Sequence, residues 1–207
     1  MDDTKWVSRL GDLSGVDYVS PPGMNRRKLP QHDAKPRVET FSCSKKNETT
    51  LTWKTAEGET SQSPASAWFI ADDPRKVSTA DLLQRLFEAL ELPGVASDYH
   101  FALLRAYDIL WSRRRREPEV LPELERLCLL DIHLVEQRPD IIHMTVQDEE
   151  LTARVPAFHY LVFLYEQEGA TSDALDIARR AAAAGQGSSE LDRLQLRVAA
   201  LEEEDRP

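Results

Sequence analysis

The sequence predicts a mainly α protein: a helical bundle or α-α array carrying a small irregular and β-hairpin segment at its N-terminal end. Three observations lead there. From Ser78 onward, apolar residues recur at helical spacing between cap and breaker residues, through six segments in succession. Before residue 76 that period is missing; prolines and glycines punctuate the chain, and Val, Thr, Phe and Trp gather in short runs. The composition, 41% hydrophobic and 30% charged over 207 residues, is that of a globular chain long enough to bury a core in one or two domains. The expected division is an irregular segment, 1–76, and a helical domain, 77–207.

Residues 1–36 are broken by Gly11, Gly15, Pro21-Pro22-Gly23, Pro30 and Pro36, so they read as loop or extended chain, with one short helical turn around Trp6, Val7 and Leu10. Trp6, Leu10, Leu13, Val16, Tyr18 and Val19 are too many apolar residues for a solvated tail, so part of the segment is expected to pack onto the domain. Strands are expected at 37–43 and 49–55, joined by a hairpin loop at 44–48. Leu51, Trp53 and Thr55 alternate with Thr52 and Lys54, the period of a half-buried strand. After a polar loop at 56–63, Ala67-Trp68-Phe69-Ile70 reads as a third strand at about 66–70.

Helices follow. Ser78 with Asp81 three residues on is an N-cap signature, and Leu82, Leu86 and Leu90 continue it to about 92, before Pro93-Gly94. Ser97-Asp98 starts a second helix, 97–116, with an apolar stripe of Phe101, Leu104, Ile109, Leu110 and Trp111 beside Tyr107. A third, 119–138, is apolar around more than one face, as a central buried helix would be. Residues 141–146 are apolar and β-branched and read as a helix extension or an extended connection; 147–154 read as a polar loop or short turn. Pro156 fits the first turn of the next helix. The last three helices are expected at 156–168, 171–184 and 188–204, the final one with Leu191, Leu194, Leu196 and Val198 to one side.

The stretch from Pro156 to Ala181 carries Phe158, Leu161, Tyr165, Gly169, Ala174 and Ala181 at the spacing of an aromatic, a leucine, a tyrosine, a turn glycine and two small residues. That pattern resembles one tetratricopeptide (TPR) repeat. Val162, Thr171, Ala178 and Gln186 depart from it, and no second copy stands at the ~34-residue period. The resemblance implies a TPR-like hairpin closed by a capping helix, and a groove for a protein partner. Tyr160, Phe163 and Arg179 lie off the matching packing positions and are the expected partner-binding residues, with Arg180 behind them.

The net charge of −10 argues against bulk attraction to nucleic acid. The charge is uneven. Arg26, Arg27, Lys28, Lys35, Arg37, Lys45 and Lys46 face only Asp33 and Glu39 within 24–46, a net of +5, against −2 for 1–23 and −13 for 47–207. This basic segment is the expected contact for nucleic acid or an acidic partner. Arg113 to Arg116 close a helix, where cations complement the dipole and face Glu117, Glu119, Glu123 and Glu125; anion or partner binding is the alternative reading. His32, His100, His133, His143 and His159 show no metal-ligand spacing, and Cys43 and Cys128 make neither a disulfide framework nor a zinc pattern. Cys128, inside an apolar helical run, reads as a buried small hydrophobe. No phosphate loop, nucleophile elbow or paired carboxylates are visible, so no catalytic, cofactor or metal site is expected.

An acidic N-terminus without an apolar core and the lack of an ~18-residue apolar run lead to the expectation of a cytoplasmic protein, off the membrane, with reduced thiols. Arg- and Ala-rich usage is bacterial in character. The sequence therefore predicts a non-enzymatic protein-protein interaction module or adaptor, with a nucleic-acid-associated regulator as the alternative.

Overall fold

The computed structural model describes residues 9–43, 46–70, 73–146 and 149–204. Trp6, Val7, Ser44 and Lys45 of the expected hairpin loop at 44–48, and the side chain of Lys46 lie outside the described residues; the rest of that expected loop, 46–48, is strand. The fold is mainly α: seven α-helices and two small antiparallel sheets among the described residues. No helix among them is long and apolar enough to cross a membrane. The chain divides into two compact units, Met1–Ile109 and Leu110–Pro207. The division falls within a helix rather than at the 76/77 change in composition, because the irregular N-terminal segment shares its core with the helices that follow.

In the N-terminal unit, β1 (Arg37–Cys43), β2 (Lys46–Thr55) and β3 (Gly58–Thr60) form an antiparallel sheet in that order. β3 falls inside the stretch expected as a polar loop. Trp53, 1% exposed, anchors the sheet. The expected third strand at 66–70 is instead part of helix α1, Pro64–Ile70. The physical reason lies just upstream. Ser63 Oγ accepts from Ser66 N–H at 3.1 Å and its carbonyl accepts from Ala67 N–H at 2.9 Å, with Pro64 preset for the first turn. That cap outweighs the β propensity of Trp68, Phe69 and Ile70.

Helix α2 (Thr79–Leu90) starts as its cap predicts: Asp81 N–H donates to Ser78 Oγ at 3.1 Å. Helix α3 (Ala96–Arg113) has Asp98 Oδ2 reaching back to Val95 N–H at 2.8 Å. Its buried stripe runs through Tyr99, Leu103, Ala106, Tyr107 and Leu110, each 0% exposed. Phe101, expected in that stripe, is 58% exposed. At ~100° per residue it stands about 200° around the helix from Tyr99. In the N-terminal segment Leu10, Val16 and Leu29 are buried, and Ser20 and Arg26 bond Glu91 at the end of α2.

In the C-terminal unit, α4 (Leu121–Gln137) buries Leu124, Leu127, Cys128, Ile132, Leu134 and Val135. Within the stretches expected as connection and loop, β4 (His143–Val146) pairs antiparallel with β5 (Glu149–Thr152). Helices α5 (Pro156–Gln167), α6 (Thr171–Ala183) and α7 (Ser188–Glu204) follow. Small buried residues Ala174, Ala178 and Ala181 let α6 approach α5. Between them Gly169 adopts φ +77°, with Ala170 N–H on Tyr165 O at 2.8 Å and Gly169 N–H on Glu166 O at 3.3 Å. Those two bonds are the paired closure of a helix ending in a left-handed residue, a conformation glycine adopts without penalty. On α7, Leu194 is 0% exposed whereas Leu196 is 74% exposed, so Leu196 does not belong to the packed side as expected.

Candidate functional site

The side chains with the most developed surface geometry lie in the C-terminal unit, where the end of α3 meets α5. Tyr160 and Phe163 stand three apart on α5 and therefore project from one face. Trp111 stacks on Tyr160 with ring centroids 4.1 Å apart and planes 7° from parallel. Phe163 meets Trp111 edge-on, at 5.4 Å and 76°. The Arg114 guanidinium lies 3.5 Å from the Trp111 centroid and 5.8 Å from that of Phe163. It also donates to the Trp111 carbonyl at 2.5 Å. All four side chains are half-buried. Partial desolvation, then the neighbouring Arg115, lowers the Arg114 pKa. An arginine nevertheless remains a cation at any physiological pH.

The result is a layered plate of arginine, indole and phenol, flanked by a phenyl ring. Each aromatic pair contributes about 0.5–1.5 kcal/mol beyond its buried area, and a guanidinium over an indole about 0.5–1 kcal/mol at an exposed position. The plate brings together two expected partner-binding residues, Tyr160 and Phe163. It adds Trp111, which the sequence places in an apolar stripe, and Arg114, for which partner binding is the secondary sequence reading. Trp111 was assigned to the α3 stripe and Arg114 to the cationic helix end; the available signal was their i, i+3 spacing.

Arg179 is placed elsewhere. It is exposed and pairs with Asp176 on its own helix at 2.8 Å. Arg180 makes a two-pronged bond to Glu136 of α4, at 2.7 and 2.9 Å, and so braces helix packing. Tyr165 O–H donates to Glu125 Oε1 at 2.6 Å, again linking α5 to α4. Burial, and then that bond to Glu125, raises the Tyr165 pKa well above the ordinary phenol range.

The basic segment does not form one uniform arm. Arg26, Arg27 and Lys28 make a 3-10 turn, and Arg37 opens β1. Arg26 is occupied: its Nε and Nη2 donate to Glu91 Oε2 at 3.1 and 2.8 Å, and Ser20 Oγ donates to Glu91 Oε1. Arg27, Lys28 and Lys35 are exposed. Arg37 meets Glu59 at 3.3 Å.

A second recess, of about 410 Å³, opens among α5, α6 and α7 and is lined by Arg154, Phe158, His159, Gln186 and Glu190 among others. His159 Nδ1 lies 2.9 Å from Glu190 Oε1. Gln186 accepts from Val155 N–H at 2.9 Å and donates to Ala153 O at 3.1 Å. It clamps the chain entering α5. Among the described residues, no group of three or more His, Cys, Asp or Glu side chains is placed to hold a metal ion. Cys128 is 0% exposed, and burial, followed by Asp131, raises its thiol pKa well above the usual range. A thiol in that state is a poor nucleophile.

Comparison with protein-family models, with curated proteins and with solved structures returns no match to this chain.

Proposed function

We propose that this chain is a non-enzymatic protein-interaction module whose C-terminal unit captures a protein partner at the Trp111–Tyr160–Phe163–Arg114 plate, in a reducing cytoplasmic setting. The observation that carries the reading is the half-open stack itself, with Trp111 parallel to Tyr160 at 4.1 Å and Arg114 at 3.5 Å. Trp, Tyr and Arg are the residue types that dominate binding hot spots, because they offer large, stiff, amphipathic area and bonds that strengthen when water leaves. Here they are pre-assembled, so little side-chain entropy remains to be lost on binding. The reading treats α5–α6 as a TPR-like hairpin presenting Tyr160 and Phe163, with α7 as its cap.

The test is co-purification from the native host with tagged wild-type chain, Tyr160→Ala, Arg114→Ala and Arg179→Glu, after circular dichroism shows that each variant is folded. A stoichiometric partner is expected with wild type, to be lost with Tyr160→Ala and Arg114→Ala and retained with Arg179→Glu. Retention of the partner by both plate variants would remove the plate from the reading.

A further inference from the structure

The N-terminal sheet gathers cations on one face. Directly paired residues of an antiparallel sheet share a face, as do residues two apart on one strand. Arg37 of β1 pairs with Thr52 of β2, and Lys54, two residues on, pairs with Glu59 of β3. Lys35, just before β1, lines the same recess as these residues, one of about 170 Å³ that Pro36 also borders. Among the residues lining the recess three cations meet one carboxylate, a local net of +2 on a chain of net charge −10, with Glu39, two residues beyond Arg37, the next carboxylate along the same face. The carboxylate is weakly committed: Arg37 and Glu59 pair at 3.3 Å with side chains 66% and 48% exposed. Exposed pairs of that kind exchange at little cost.

Beneath the cations lies an independent observation. Thr52 Oγ1 is buried and has no hydrogen-bond partner among the described residues. Buried hydroxyls are normally satisfied, and an unsatisfied one is costly to keep. The neighbouring Trp53, 1% exposed, anchors its strand and also contributes to the lining of the recess.

We infer that this sheet face binds a phosphate group. Thr52 O–H donates to one oxygen, Lys35 and Lys54 supply ammonium donors to others, and the Arg37 guanidinium turns from Glu59 to share the anion. A tetrahedral oxyanion has enough oxygens to engage all four groups. Size agrees: the recess exceeds the ~10–15 Å³ one water needs more than tenfold, yet falls short of the ~300–1,000 Å³ typical of pockets enclosing a whole organic ligand. It therefore holds the phosphate and leaves the rest of a phosphate ester outside. The site is in the N-terminal unit and does not depend on the aromatic plate.

The experiment is a titration of the full ¹⁵N-labelled chain with inorganic phosphate, followed by amide shifts, against sodium chloride at equal ionic strength. The expected result is saturable movement of the Arg37, Thr52 and Lys54 amides with phosphate but not with chloride. Thr52→Val should weaken phosphate binding about tenfold or more, the effect of one hydrogen bond to a charged ligand. Thr52→Ser should restore it, Lys35→Ala/Lys54→Ala should abolish saturation, and Lys76→Ala, at an exposed lysine beside Asp73, should bind as wild type. A second titration with a short single-stranded oligonucleotide separates the sources. Competition with phosphate at the same amides assigns the site to a nucleic-acid backbone; unmoved amides assign it to free phosphate or a small monoester. Equal shifts with chloride and phosphate, or unchanged phosphate binding by folded Thr52→Val, overturn the inference.

Discussion

Arg26 stands in the basic segment that the sequence marks for nucleic acid, yet its geometry assigns it to folding. Glu91 has a side chain only 3% exposed, and Arg26 is its counter-ion at 2.8 Å. Replacing Arg26 by alanine leaves a buried carboxylate with the Ser20 hydroxyl as its remaining side-chain donor. Breaking a fully buried pair costs about 3–5 kcal/mol. Arg26 itself is 39% exposed, so solvent already screens part of the attraction and can partly replace the guanidinium. Arg26→Ala should therefore cost about 2–3 kcal/mol, below that full range. Glu91→Gln in the Arg26→Ala background removes the stranded charge and should recover about 1–2 kcal/mol, in line with the penalty of an unpaired buried group. Arg27→Ala, one residue on and exposed, should stay within about 0.5 kcal/mol of wild type. The assay is urea unfolding of the four proteins by circular dichroism, with midpoints compared at common slope. A loss below about 0.5 kcal/mol for Arg26→Ala, the scale of a surface pair, would refute the structural assignment and return Arg26 to the surface.

Three further outcomes are expected. Gly94→Ala places a Cβ 2.9 Å from the Ala65 Cβ and 3.2 Å from the Tyr99 ring, so helix α1 or α3 must shift; a loss of about 1–3 kcal/mol should appear as a lower thermal midpoint. Gln186→Ala leaves the Val155 N–H, on a residue 1% exposed, without its acceptor; about 1–3 kcal/mol should be lost, with faster amide exchange at Val155. The third concerns acid. The side-chain bond from Arg193, and secondarily the Arg193 and Arg197 charges, hold the Glu166 carboxyl below its usual pKa. A depressed carboxylate pKa adds stability that is present above the unfolded value and is lost as pH falls from there through the folded value. Acid below the ordinary glutamate range should thus loosen α7 from α5. Glu166→Gln should show a shallower decline in stability over that range; an identical acid limb in both proteins would mean the bridge adds nothing.

Much of the architecture was legible because it rests on local rules. Ser78 with Asp81 announces α2, Pro156 opens α5, Gly169 closes it, and Pro93 and Pro118 mark breaks that no partner can repair. Caps and breakers act within a few residues, so sequence reports them directly. The run Ala67–Ile70 was misread because β propensity was weighed against no alternative, while the competing cap sat four residues upstream at Ser63. Extended chain at 141–146 is one of the two sequence readings, but the pairing of β4 with β5, His143 opposite Thr152, is not legible because the two stretches show no strong alternation.

By itself the sequence determined the helical class, the order of the C-terminal helices and the uneven charge, since each follows from residue type and spacing along one chain. Only the tertiary structure decided which charges and rings matter. It paired Arg26 with a buried Glu91 sixty-five residues away, stacked Trp111 on Tyr160 across two helices, and set Lys35, Arg37 and Lys54 around a Thr52 hydroxyl that has no hydrogen-bond partner among the described residues. Those outcomes depend on desolvation and on which faces meet, and both are fixed when the chain packs.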